Sequence, residues 1–246
     1  MPDVRTKLRK KSLKVRSPDS YSELCLTEKI VSSELTEAEI YWMLLFEMIN
    51  PLGADSEMQR AANEVLTFTQ RALDLTYVIT LSKIFADANE EGLEKLLHQC
   101  RNVFDHQVSL LELKRERLNE VCRPAMDAAR NKVLDEYDSY LAKIRQIRDK
   151  LEPLRNIARA HNFPRREFRG DGILWQTTRE WITFGQQVYN NIMISVGDSG
   201  LLVGGFVSST MQGAITSFVK AATTGARVAF GSLVYGGRVQ ELRSKK

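Results

Sequence analysis

The stretch "AMDAARNKVLDEYDSYLAKIRQIRDKLEPLRNIARAHN", residues 125–162, decides the fold. Met126, Ala129, Val133, Tyr137, Tyr140, Ile144, Ile147, Leu151, Leu154 and Ala158 follow one another at steps of three and four. That is the period of one face of an α-helix, kept for about ten turns. The next step of three lands on His161, one of three histidines in the chain. Arg148, Arg155 and Asn162 recur every seven residues, so they line one edge beside this seam. Pro153 has no N–H to offer the carbonyl of Asp149, so a kink or restart of the helix is expected there. Pro164 and the loop "RREFRGDG" then end it.

Outward from this seam the pattern stays helical. "LTEAEIYWMLLFEMINP" sets Thr36 three residues before Glu39, a capping-box spacing that predicts a helix start, and Asn50-Pro51 stops it. Helices are further predicted over about 56–86, 90–104, 107–121 and 174–196. The expected fold class is therefore all-α, a helical bundle with one long motif-bearing helix. The seam exceeds what a small bundle needs for its own core, and Tyr137 and Tyr140 suit an interface, so a homodimer paired along it is expected.

The ends differ from the body. Residues 1–16 carry seven Lys/Arg against one Asp, whereas the other 230 residues carry 28 Lys/Arg against 30 Asp/Glu. The net charge of +4 is thus the property of an arm, assigned to 1–33 as flexible. Such an arm holds phosphates, or merely keeps the chain in solution, or serves as an import signal, for which its Ser and Ala are scarce. Residues 197–237 hold nine of the fourteen glycines, and 199–219 are uncharged but only ten of those 21 are apolar. That is too few for a good membrane span, so the 197–246 extension is expected to be a buried small-residue segment or a hairpin. A tail acting at a membrane or in assembly stays as a third function class. Cys25, Cys100 and Cys122 are odd in number and show no metal-ligand spacing, which points to a reduced, cytoplasmic setting without structural zinc. No nucleotide-binding Gly loop, His-Glu metal pair or nucleophile elbow is present.

The Arg–His spacing carries the chemistry. An imidazole moves a proton near neutrality, and a guanidinium two turns away forks onto a phosphate. With 21 arginines such a spacing arises readily by chance: "RNVFDH" sets Arg101 before His106 in the same way. Context favours His161, which closes the seam just before Arg165, Arg166 and Arg169.

Two stretches resemble the HEPN superfamily in its abortive-infection branch: "ALDLTYVITLSKIFADANEEGLEKLL", residues 72–97, and "IRQIRDKLEPLRNIARAHNF", residues 144–163. The first is similar to the branch's second helix, its Leu-Ser-(Arg/Lys)-Leu-Phe element and the Leu-rich helix after it. The second is similar to the helix bearing Arg, a polar residue and a His four to six residues on; Arg155, Asn156 and His161 match it. The resemblance covers about 36–196, taken as one domain, 34–196. It departs from the pattern at Pro153, and an apparent insertion leaves Arg148 as an alternative motif arginine. It implies a dimeric endoribonuclease of a defence or toxin–antitoxin system that needs no metal or cofactor. Catalysis would fall to Arg155, Asn156 and His161. Arg148, Arg159, Arg165, Arg166 and Arg169 would hold RNA, and an antitoxin would be a further partner. Relatives that only dimerise or bind nucleotides or partners keep a non-catalytic module open.

Overall fold

The computed structural model describes residues 20–49, 58–159 and 175–198, together with Ser217. Seven helices make up the three described stretches: α1 Ser20–Ile49, α2 Met58–Ile84, α3 Leu93–His106, α4 Val108–Arg117, α5 Cys122–Asp135, α6 Tyr137–Arg159 and α7 Trp175–Ser195. No strand occurs among the described residues, so the fold there is all-α. None of the described helices is long and apolar enough to cross a membrane.

Helix α7 supplies much of the core. Ile182, Val188, Tyr189 and Ile192 are fully buried along it, and it packs against α1, α3 and α5. Helix α1 also packs on α2, and α2 in turn on α6. Burial of this apolar side, rather than helix propensity, stabilises such helices. A polar network crosses the same core. The Tyr189 hydroxyl donates to Glu28 Oε1 at 2.5 Å, while Gln186 Nε2 and Arg179 Nη2 donate to the two oxygens of Glu39 at 2.7 and 3.0 Å. Each buried carboxylate is thereby hydrogen-bonded, as burial of a charge requires.

The start of α1 corrects the sequence expectation. The helix does not begin at Thr36: the Thr36 hydroxyl bonds back to the Ser32 carbonyl at 2.8 Å, an interior helical bond, and Glu39 is buried against α7. Residues 20–33, assigned above to a flexible arm, are helical, and Leu24 and Val31 lie in the core. Their stripe continues through Leu35 and Ala38, but polar Thr27 and Glu28 interrupt it and hide the period. Both of these polar side chains are buried, Thr27 bonding Glu91 Oε2 at 2.6 Å.

The long seam also divides. Glu136, at φ −97° and ψ 5°, separates α5 from α6, although the backbone hydrogen bonds pass across it from Glu136 N–H to Lys132 and from Tyr140 N–H to Glu136. The two pieces serve different neighbours: α5 lies chiefly on α7, and α6 chiefly on α2. Helix α6 runs through Pro153 without a restart. Pro153 lies on its exposed side, where solvent can reach the carbonyl it leaves unbonded. From Met126 to Leu151 the seam is buried within this chain, Ile144 completely. The surface expected to pair two copies is therefore already covered from within.

Two glycines fix corners. Gly92 caps α3 at the α2–α3 turn, where an added Cβ would stand 2.8 Å from the Lys83 carbonyl oxygen and 3.1 Å from that of Ile84. Gly197, at φ 72°, closes α7 in a Schellman motif: its N–H bonds Ile194 O, and the Asp198 N–H bonds Met193 O. The Tyr21 hydroxyl then donates to Asp198 at 3.0 Å, tying the end of α7 to the start of α1.

Candidate functional site

Ser82 near the end of α2, Asp87 and Glu90 in the turn after it, and Arg148, Asp149, Leu151, Glu152 and Arg155 on α6 line a cleft of about 310 Å³. The turn keeps its form because Asp87 Oδ1 accepts the Asn89 N–H at 2.8 Å and the Asp87 carbonyl accepts the Glu90 N–H at 3.1 Å. Ser82 is buried, with its hydroxyl bonded to the Val78 carbonyl at 2.7 Å. The described parts of the two stretches singled out in the sequence, 72–97 and 144–159, thus meet in one place although 46 residues lie between them.

Arg148 and Arg155 stand two turns apart on α6 and differ in what they hold. Arg148 Nη1 donates to Glu94 Oε2 at 2.7 Å; Arg145 donates to Glu94 Oε1 through Nη2 at 2.7 Å and Nε at 3.0 Å. Glu94 is 3% exposed, so this carboxylate is the buried anchor of both guanidiniums, and it holds Arg145 above its ordinary pKa. The arrangement pins α3 to α6. Among the described residues no carboxylate anchors Arg155 in this way. Its Nε is buried without a hydrogen-bond partner among the described residues, while the residue as a whole is half-buried beside the cleft. A buried donor left unbonded costs free energy that a ligand oxygen would recover.

Asn156 is exposed on the next position of α6. Arg159 is the last residue of α6. His161, Arg165, Arg166 and Arg169 lie outside the described residues, so Arg155 and Asn156 are the two members of the expected catalytic set that lie within them. Of the five expected RNA-binding arginines it places the side chain of Arg148 alone, and that one is tied to Glu94. The cleft lining holds four carboxylates against two guanidiniums.

Sequence reasoning passed over the third histidine. His98 Nδ1 lies 2.5 Å from the Tyr137 hydroxyl, and its Nε2 lies 3.9 Å from Glu94 Oε1. The Arg101 guanidinium sits 4.6 Å over the Tyr137 ring. Burial raises the pKa of the Tyr137 hydroxyl, and the charges of Arg101 and Arg145 draw it back down. The Arg145/Arg148 repeat at i, i+3 was the available signal for this cluster; Glu94, about 50 residues away, was not. His106 is exposed at the end of α3. Among the described residues no group of His, Cys, Asp and Glu side chains is arranged to hold a metal ion. Cys25, Cys100 and Cys122 are free thiols, and burial pushes that of Cys100 up to about 12. No protein-family model, curated protein or solved structure matches the chain.

Proposed function

We propose that the protein is a HEPN-type, metal-independent endoribonuclease of a defence or toxin–antitoxin system, with its centre at the Arg155 end of α6. The observation that carries this reading is the contrast between the two candidate arginines. Arg148 is consumed by Glu94, whereas Arg155 keeps a buried, unpartnered Nε beside a cleft. Arg155 is therefore the motif arginine. In the reaction the RNA 2′-hydroxyl attacks the adjacent phosphorus and the 5′-oxygen of the next nucleotide leaves, giving a 2′,3′-cyclic phosphate and a 5′-hydroxyl. Arg155 stabilises the charge that develops on the phosphate oxygens. His161, six residues on, moves the proton. Asn156, exposed beside Arg155, orients the phosphate.

A second reading, a non-catalytic module that binds a partner, draws on the acidic cleft, since four carboxylates around two guanidiniums favour a cationic group over an RNA strand. One assay separates the two. Full-length protein is incubated with bulk RNA and with transfer RNA in excess EDTA, and the product ends are analysed. Cleavage leaving cyclic phosphate ends, and falling at least about a hundredfold in both Arg155→Ala and His161→Ala, supports the nuclease. His106→Ala should cleave like the wild type. Absence of cleavage in the wild type leaves the binding module.

A further inference from the structure

A nuclease centred on Arg155 meets its substrate at a cleft whose own lining repels a phosphate chain, so the strand needs an anchor elsewhere. We propose that Arg101 and Arg145, beside Tyr137 and His98, form that anchor: a second phosphate site that holds a single-stranded RNA away from the scissile position. The proposal rests on the nuclease reading for its ligand.

The geometry supports it at three points. First, one buried carboxylate, Glu94, holds two guanidiniums, where a single bidentate arginine would suffice to pin α3 to α6. The surplus charge faces outward, for the Arg145 side chain is 51% exposed while that of Glu94 is 4% exposed. Second, Arg101 is exposed on α3 and lies over the Tyr137 ring, and the charges of both Arg101 and Arg145 act on the Tyr137 hydroxyl. Two guanidiniums from different helices thus flank one spot, Arg101 over the Tyr137 ring and Arg145 on Glu94, which His98 links to the Tyr137 hydroxyl. His98, half-buried and bonded to the same hydroxyl, adds a ring nitrogen facing Glu94. Third, both arginines are held in place before a ligand arrives, Arg145 by Glu94 and Arg101 by the aromatic face, which lowers the ordering cost of binding. Asp138, exposed next to Tyr137, also acts on that hydroxyl, and against Glu94 and Asp138 the three guanidiniums of Arg101, Arg145 and Arg148 leave one positive charge over. Along α6 the anchor and the catalytic position are separated by ten residues from Arg145 to Arg155, about 15 Å at helical rise. A strand can bridge that distance with several nucleotides.

The test uses full-length protein and a fluorescent 12-nucleotide single-stranded RNA carrying 2′-O-methyl groups, which cannot be cleaved. Its affinity is followed by anisotropy as a function of salt. In Arg101→Gln/Arg145→Gln the affinity at low salt should fall on the order of tenfold, and the slope of log affinity against log salt should flatten by about 1 to 2. Arg101→Gln alone, which leaves the Glu94 anchor untouched, should give about half of that flattening and decides the matter if the double variant fails to fold. Cleavage of unmodified RNA should show the loss as a KM raised in step with the lost affinity. Salt titrations that superimpose on the wild type overturn the anchor, whatever the cleavage assay shows. A wild type that does not cleave but whose RNA binding depends on Arg101 and Arg145 overturns the nuclease and leaves the anchor standing. Displacement of the RNA by polyglutamate of equal charge as readily as by unlabelled RNA overturns the assignment to RNA and points to an acidic polypeptide.

Discussion

Helix α6 carries the same residue type in two settings. In its first half Arg145 and Arg148 share the Glu94 carboxylate and fasten α3; toward its end Arg155 keeps a buried donor with nothing among the described residues to receive it. The arginines of the first half are committed to the fold, whereas the buried Nε of Arg155 is left free to meet a ligand in the proposed reading. The lesson is that charge on a helix edge does not reveal its role. The role follows from whether a buried counter-charge reaches it, and that counter-charge comes from a residue far away in the chain.

The contrast breaks first if the apolar side of α6 is not committed to this chain's own core. Ile144, adjacent to Arg145, is fully buried. Ile144→Glu would place a carboxylate with no partner in that core, at a cost of more than about 4 kcal/mol. The expected outcome is an unfolded chain, read by loss of helical circular dichroism. A folded, monomeric Ile144→Glu protein beside a dimeric wild type would instead show that the seam faces another copy.

The comparison itself is sharpened by the paired substitutions Glu94→Ala and Arg155→Ala. Removing Glu94 leaves two guanidiniums facing each other and unpins α3. We expect a loss of about 1–3 kcal/mol in urea unfolding, less than for a fully enclosed ion pair because both guanidiniums reach water. Arg155→Ala should change stability by less than about 0.5 kcal/mol while abolishing cleavage. Equal destabilisation by the two would make Arg155 another structural arginine.

These distinctions separate what the sequence could show from what it could not. Helices α2 and α7 were legible, α2 from an apolar period that holds apart from a gap near Phe68 and Thr69, and the expected bounds of each lie within two residues of both ends. The start of α1 was not, because Thr27 and Glu28 occupy buried positions through hydrogen bonds to Glu91 and Tyr189 that no local pattern announces. The seam of α5 and α6 was legible as a period but not as two helices, since the break at Glu136 goes with the separate neighbours α7 and α2. At the site, Arg155 was visible from its spacing to His161. That it and not Arg148 is unanchored depends on Glu94, and the role of His98 depends on Tyr137; both are contacts between distant segments.

The smallest expected effect tests the same principle on a carboxylate. Glu94 is buried with two guanidiniums, whereas Asp74 on α2 is half-buried and burial pushes its carboxyl up from 3.8 to about 6. A folded-state pKa above the unfolded one means that the native state binds the proton more tightly. The stabilisation from that proton is complete below about pH 3.8 and is lost as the pH rises through about 6. At pH 7 the Asp74 charge therefore opposes folding. Asp74→Asn should stabilise the protein by about 1–2 kcal/mol at pH 7, a discount on the full shift because the side chain is half-open to water. For a chain of this size that is a rise in Tm of about 2–4 °C for each kcal/mol. At pH 3.5 the variant and wild type should melt together, and the gap should open between about pH 4 and 6. Glu94→Gln should do the opposite at pH 7, lowering stability, because it removes a charge that two guanidiniums already satisfy. If Asp74→Asn instead destabilises at pH 7, its carboxylate has a cationic partner, and the division between anchored and unanchored charges does not extend beyond α6.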